Sequence, residues 1–252
     1  MPAFDLYVGI RYSGRKAPNE RIDDLLVFAA RADHEPYREL NRDDGEGRFS
    51  RQELAEWLLA KLGEEERVVV GMDHAFSFPQ SYMHRHGIET WEAFLRDFEE
   101  NYPTHRVSIK DLLPGLTVLG SADEQRLTGR WTAEPRSVFQ FSDLKDNAAR
   151  AAHAGLPWLS YLRRAGERAH FWPFDGFAVP EGKSVVAEVR PARLKYRYGR
   201  EGLDRQEHEA FAICAWLQDR DRLDLLRPYF EPPLSEAEKE RARLEGWILG
   251  VA

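Results

Sequence analysis

Three carboxylates stand where a carboxylate is costly to leave alone. Asp73 follows the apolar run RVVVGM, Glu188 sits inside SVVAEVR, and Glu209 opens the helical pattern QEHEAFAICAWL, with His208 beside it. An ionised carboxylate in or at the end of a buried strand is unfavourable unless it is ion-paired or bound to a metal. Strand ends of α/β sheets are also where ligands collect. Two strands and one helix could therefore bring Asp73, Glu188 and Glu209 together on a divalent cation, Mg²⁺ or Mn²⁺, which prefers oxygen ligands and keeps waters and substrate phosphates. Two such ions about 4 Å apart drive in-line phosphodiester hydrolysis. The same residues also admit a plainer account. Glu188 could pair with Arg190 or with an arginine of a neighbouring strand, Asp73 could cap the turn into HAFSFP, and Glu209 could be an acid favoured by a helix dipole.

A second set of residues is basic. The stretch RPARLKYRYGREGLDR follows Glu188 directly and carries Arg190, Arg193, Lys195, Arg197, Arg200 and Arg205, with Tyr196 and Tyr198 between them. Basic side chains grip phosphates and aromatic rings stack on bases. Nucleic acid is thus an expected partner, with Arg190, Lys195 and Arg197 as candidate phosphate contacts; a solvated segment with compensating acids is the plain alternative. One more cation is out of pattern. VGIRYSG, at Val8 to Gly14, is echoed by VGMDHAF from Val70, and where the echo delivers Asp73 the first copy delivers Arg11. Ser13, just beyond, is a candidate phosphate-binding hydroxyl or a turn cap.

These residues need a scaffold. Residues 5–12 and 24–30 read as strands joined by a long, turn-rich connection, and 33–48 as loop. Ser50 with Glu53 makes a capping box for a helix whose apolar stripe is Leu54, Trp57, Leu58 and Leu62. Residues 67–72 and 184–190 are continuous apolar runs of the kind buried on both faces of a sheet. Trp91, Phe94, Leu95 and Phe98 lie at helical spacing. Residues 121–147 are polar and unassigned, a helix is expected from Asn147 to about Arg164 with Pro157 inside it, and another from Arg205 to Leu217. Ser235 and Glu238 open a terminal helix through Trp247. The expectation is one α/β domain over residues 1–252, a mixed sheet flanked by helices, with a helical or loop insertion at about 80–170.

Composition narrows the classes. A net charge of −7 argues against a protein that coats nucleic acid with its whole surface, while leaving room for a local basic groove. One cysteine, Cys214, excludes an intrachain disulfide and a cysteine-based zinc cluster, and points to a core thiol in a reducing, cytoplasmic setting. No apolar stretch of membrane-spanning length and no signal peptide is seen. His74, His84 and His86 are expected at the surface or in support of a ligand, and His153 is a minor site candidate. No Walker-type glycine loop is present. A phosphotransferase built on an actin-like sheet is disfavoured for want of a second glycine-rich phosphate loop. Oligomeric state is not legible.

The order LYVGI-x-YSG, VVVGMDHAFSFP, VVAEVRPA, EHEAFAICAWL, together with SVFQF, HAGLPWL, HFWPFDGF and EGWILGV, resembles the DUF429 family of predicted RNase H-like nucleases. The resemblance runs from Phe4 to Val251. It implies an RNase H-like sheet with an acidic cluster and divalent-metal-dependent nuclease or phosphodiesterase activity. The family's first acid follows Gly-Ile on the first strand, where this chain has Arg11. The second matches Asp73, the third, in Glu-x-x-Pro-Ala, matches Glu188, and the Asp of His-Asp-Ala is replaced by Glu209. A guanidinium cannot coordinate a cation or lose its proton. Arg11 is expected instead to attract Asp73 and Glu188, with nuclease activity reduced or lost. Asp5, six residues back along the strand and about 20 Å away, cannot stand in. The alternative is a non-catalytic binder of nucleic acid or nucleotide that uses Arg11 and the basic stretch 190–205.

Overall fold

Two glycines decide how the central strands pack. In the computed structural model, which describes residues 2–132, 137–141, 148–200 and 202–251, Gly9 and Gly71 are register partners on adjacent parallel strands β1 (Leu6–Arg11) and β4 (Val68–Met72). A Cβ on Gly9 would come within 2.4 Å of the Ala210 carbonyl oxygen, and one on Gly71 within 2.6 Å of Ile213 Cγ2. Both of those residues belong to helix α7 (Arg205–Arg222). The Val-Gly echo in the sequence is therefore a groove without side chains into which α7 settles against the sheet.

The sheet is mixed. Strand β2 (Leu26–Arg31) runs antiparallel to β1, and β3 (Tyr37–Glu39) antiparallel to β2. On the other side β4 is followed in parallel by β6 (Ser184–Val189), whose far edge is shared by β5 (Ala169–Trp172) and β7 (Ile248–Leu249). The order is β3-β2-β1-β4-β6-β5, with β7 beside β6. β3 falls in the expected loop 33–48, β5 in the apolar HFWPFDGF segment and β7 just past the expected end of the terminal helix; each has four residues or fewer, too short for alternation to register.

Between β4 and β5 lie α2 (Gln80–His86), α3 (Trp91–Asn101), α4 (Ile109–Leu116), α5 (Leu127–Arg130) and α6 (Ala148–Leu162). Asn147, expected to start α6, is outside the described residues. Helix α1 (Arg51–Gly63) carries the Ser50–Glu53 capping box and α8 (Glu236–Glu245) the Ser235–Glu238 box, both closed in both directions. α8 stops at Glu245, where Gly246 takes φ 79°, and Trp247 is delivered to the core beyond it. α7 runs five residues past the expected Leu217.

Strand alternation sorts the core into two layers. Leu6, Val8, Ile10 and Tyr12 join Val70, Met72 and Val186 beneath α1, α3 and α6. Tyr7, Val69, Val185, Ala187 and Val189 face the other way, toward α7 and Trp247. Cys214 is buried in that second layer. Among the described residues no helix is long and apolar enough to cross a membrane.

Candidate functional site

The C-terminal ends of β1, β4 and β6 meet at a cleft of about 160 Å³. Asp73, Glu188 and Glu209 all line it, so the structure brings the three carboxylates to one place. The Asp73 amide donates to the Ile10 carbonyl at 2.9 Å, which fixes Asp73 at the β1–β4 seam. Met72 is the register partner of Glu188, and Glu209 arrives from the first turns of α7.

Arginines already hold two of these acids. Arg126, just before α5, grips Glu188 with a two-pronged contact, Nη1 to Oε2 at 2.7 Å and Nη2 to Oε1 at 2.5 Å; both side chains are 6% exposed. Oε2 also accepts the Phe76 amide at 3.3 Å. Burial works against the Arg126 charge, but Glu188, aided by Glu245, outweighs it and holds the guanidinium above its ordinary pKa. Arg126 further donates to the Glu245 carbonyl, and the Glu245 side chain accepts the Leu127 amide at 2.6 Å and Arg241 at 2.9 Å. This network ties the cleft to the end of α8.

Arg11 lies on the opposite face. Its Nε donates to Glu209 Oε2 at 3.2 Å and its Nη1 to the Asp24 carbonyl at 2.7 Å, with the Asp24 carboxylate at 3.8 Å. Of the two acids Arg11 is expected to attract, Asp73 and Glu188, Glu188 is held by Arg126. Ile10, Met72 and Glu188 share one register row, and Arg11, one residue further, points to the α7 side. Arg11 is 1% exposed and is not among the residues lining the cleft; it serves as a buried counter-charge to Glu209 and Asp24.

The other candidate residues divide in the same way. Arg190 and Lys195 line the cleft, as does Arg205, whose Nε lies 3.4 Å from Glu209. Lys195 makes no ion pair among the described residues. Arg197 is exposed and outside the cleft, and Tyr196 is 87% exposed. Ser13 is buried and accepts the Arg15 amide through Oγ, the turn-capping alternative. Its carbonyl, with those of Arg15 and Lys16, receives the buried Arg51 guanidinium, which pins the loop after β1.

Three residues at the site have no sequence signal for that role, and His74 joins them. Arg126 lies in a polar stretch with no periodicity. Asp24 begins the apolar run 24–30, and its type alone signals no role there. Tyr12 lines the cleft, and His74, expected at the surface or in support of a ligand, is 5% exposed and lines it too. Burial lowers the His74 pKa to about 4, so the ring is neutral. The residue after a buried strand's terminal acid was the available signal for His74. His84 and His86 are exposed, as expected.

Among the described residues no group of three or more His, Cys, Asp and Glu side chains is arranged to hold a metal ion. The donor chemistry agrees, since both Glu188 oxygens are taken by Arg126 and each Glu209 oxygen faces an arginine. A cation at Glu188 or Glu209 would have to displace these arginines. The lining presents four cations (Arg126, Arg190, Lys195, Arg205) to three carboxylates. No family model matches the chain, no curated protein matches it, and no solved structure matches it.

Proposed function

We propose that this protein binds a small phosphate-bearing ligand, of nucleotide size, in the cleft at the ends of β1, β4 and β6. The observation that carries the reading is the pairing of Glu188 with Arg126 and of Glu209 with Arg11. Those pairs answer two of the three acids that would otherwise repel an anion, and Lys195, Arg190 and Arg205 add positive charge to the same lining. A cleft of about 160 Å³ falls below the roughly 300–1,000 Å³ of drug-sized pockets. It has room for a phosphate with part of a nucleoside, or for the end of a strand, and not for a duplex. The DUF429 resemblance and the mixed sheet support an RNase H-like framework in which internal guanidinium charge stands where the family keeps cation ligands. Titration with inorganic pyrophosphate and with nucleoside monophosphates, in the absence of divalent metal, tests the reading. Binding that weakens with ionic strength and falls in Lys195→Ala and Arg190→Ala is the expected result. Binding that requires Mn²⁺, or ignores both substitutions, rejects it.

A second reading, a metal-dependent nuclease, is favoured by the convergence of Asp73, Glu188 and Glu209 on one cleft. On that reading Asp73 and Glu188 would hold Mg²⁺ or Mn²⁺, with Glu209 as distal ligand or water-orienting acid, and the cation would polarise a phosphodiester. Labelled DNA, RNA and RNA–DNA hybrid with Mn²⁺ decide it. Cleavage by the parent, lost in Asp73→Asn, supports the nuclease; cleavage only by a folded Arg11→Asp variant marks a nuclease disabled at one position.

A further inference from the structure

A second recess lies at the β3 edge of the sheet. It holds about 580 Å³, against about 160 Å³ for the cleft, and so falls within the roughly 300–1,000 Å³ of small-molecule sites. Register explains its floor. Leu6 pairs with Arg31, and Ala29 with Tyr37, so these four side chains share one face of the sheet. The opposite face of β2 is covered, with the Phe28 ring 5.8 Å from Phe211 of α7. On this face the recess opens between β3, which contributes Tyr37, and α1, which contributes Trp57 and Ala60. Phe49 and Trp57 meet as a tilted corner, with ring centroids 6.2 Å apart. Tyr37 and Leu40 are 46% and 47% exposed, so solvent reaches the apolar lining.

The rim is more acidic than its own cations answer. Arg31 is taken by Glu66 at 2.6 Å, Lys61 answers Glu64 at 2.9 Å, and Arg21 answers Glu53 at 2.8 Å. Glu39, Asp43 and Glu56 also line the recess, and among the described residues no ion pair holds them. Arg42 is the remaining cation of the lining. An anion would meet this excess of negative charge, and a neutral ligand would leave it unanswered. A cation with an apolar body satisfies both parts of the lining. Its charge meets the carboxylates and the aromatic faces, and its body takes the floor from water.

We infer that the recess between α1 and β3 binds a small organic cation, an ammonium on an aromatic or aliphatic body. Glu39, Asp43 and Glu56 answer its charge, and Tyr37, Leu40 and Trp57 cover its body. This is a second site. It shares no lining residue with the cleft, and it does not rest on the phosphate-binding reading.

The test is an NMR titration of the full chain with phenethylamine and with hydrocinnamate, which carry the same ring on opposite charges. The parent is compared with Glu39→Gln/Glu56→Gln. Neither carboxylate is buried or ion-paired, so the double variant is expected to keep the parent's thermal midpoint closely. In the parent the amine is expected to saturate with a Kd of about 1 mM or tighter. It should move the Trp57 indole and the backbone amides from Leu40 to Asp43. Hydrocinnamate is expected to bind at least about tenfold more weakly. The double substitution is expected to weaken the amine about tenfold, the effect of two exposed charge contacts, and to remove most of the preference. Lys195→Ala, at the cleft, is expected to leave amine affinity within about twofold, so this site and the phosphate site fail or stand separately. No saturable amine binding, equal binding of the two probes, a preference that survives the double substitution, or shifts confined to other parts of the chain each overturns the inference. Binding of a Lys-Phe-Lys tripeptide without binding of the amine overturns it in favour of a peptide-docking surface.

Discussion

The two halves of the acidic cleft are held by the same chemistry in different ways. Arg126 and Glu188 form a two-pronged pair, each 6% exposed. Arg11 meets Glu209 through one nitrogen and spends another on the Asp24 carbonyl, and Glu209 has a second cation in Arg205, which is 73% exposed. The first pair is closed, whereas the second is a shared network with a way out to solvent. Removing one partner of a closed pair leaves a buried charge uncompensated. Arg126→Met is therefore expected to cost about 3–5 kcal/mol in urea denaturation. Arg126→Met/Glu188→Leu, which replaces both partners by apolar side chains, should recover most of that. If the single variant is as stable as the parent, Glu188 is not dependent on Arg126 and the two halves are alike.

That contrast was only half visible in the sequence. The acids were legible because an Asp or Glu in a Val-rich run demands a partner, and strand alternation with register was enough to put Arg11 and Glu188 on opposite faces once β1, β4 and β6 were known to be adjacent. Which arginine would serve Glu188 was not legible. The chain has 36 Lys and Arg residues, and Arg126 stands in a segment with neither helical nor strand period. The long elements α1, β4, β6 and α7 follow from capping boxes and apolar runs. β3, β5 and β7 depend on neighbours far away in sequence, and propensity does not encode them.

The open half should tolerate the matching change better. Arg11→Met removes the Glu209 and Asp24 contacts, yet Arg205 still faces Glu209 and Arg15 still lies 3.4 Å from Asp24. A loss of about 2–3 kcal/mol in the same denaturation assay is expected, below that of Arg126→Met. A larger loss for Arg11→Met would invert the comparison and make the α7 side the closed one.

Acid probes the Glu188 side through His74. His74 and His153 are buried neutral, each with its pKa lowered by burial from 6.5 to about 4. Below pH 6.5 the unfolded chain takes up a proton at each that the folded chain refuses, so stability falls as pH drops from 7 to 5. Each contributes about 2 kcal/mol over that range. His105 and His170 are lowered too and act with the same sign. Urea midpoints at pH 7 and pH 5 check this, and His74→Gln should flatten the dependence. A midpoint independent of pH would mean that the histidine rings are already solvated in the folded protein.

Lys195 gives the smallest effect on stability. It is partly exposed, its Nζ sits 5.2 Å from the Tyr196 ring centroid, and no carboxylate holds it among the described residues. Lys195→Ala is expected to change stability by less than about 0.5 kcal/mol, as for surface positions in general. On the proposed reading this cleft cation serves the ligand more than the fold. The same variant is therefore expected to weaken pyrophosphate binding about tenfold, a dissociation with stability unchanged that neither Arg126→Met nor Arg11→Met can produce. If Lys195→Ala instead destabilises the fold and leaves pyrophosphate affinity intact, the rim belongs to the structure, and the functional distinction between the closed pair, the open pair and the rim collapses.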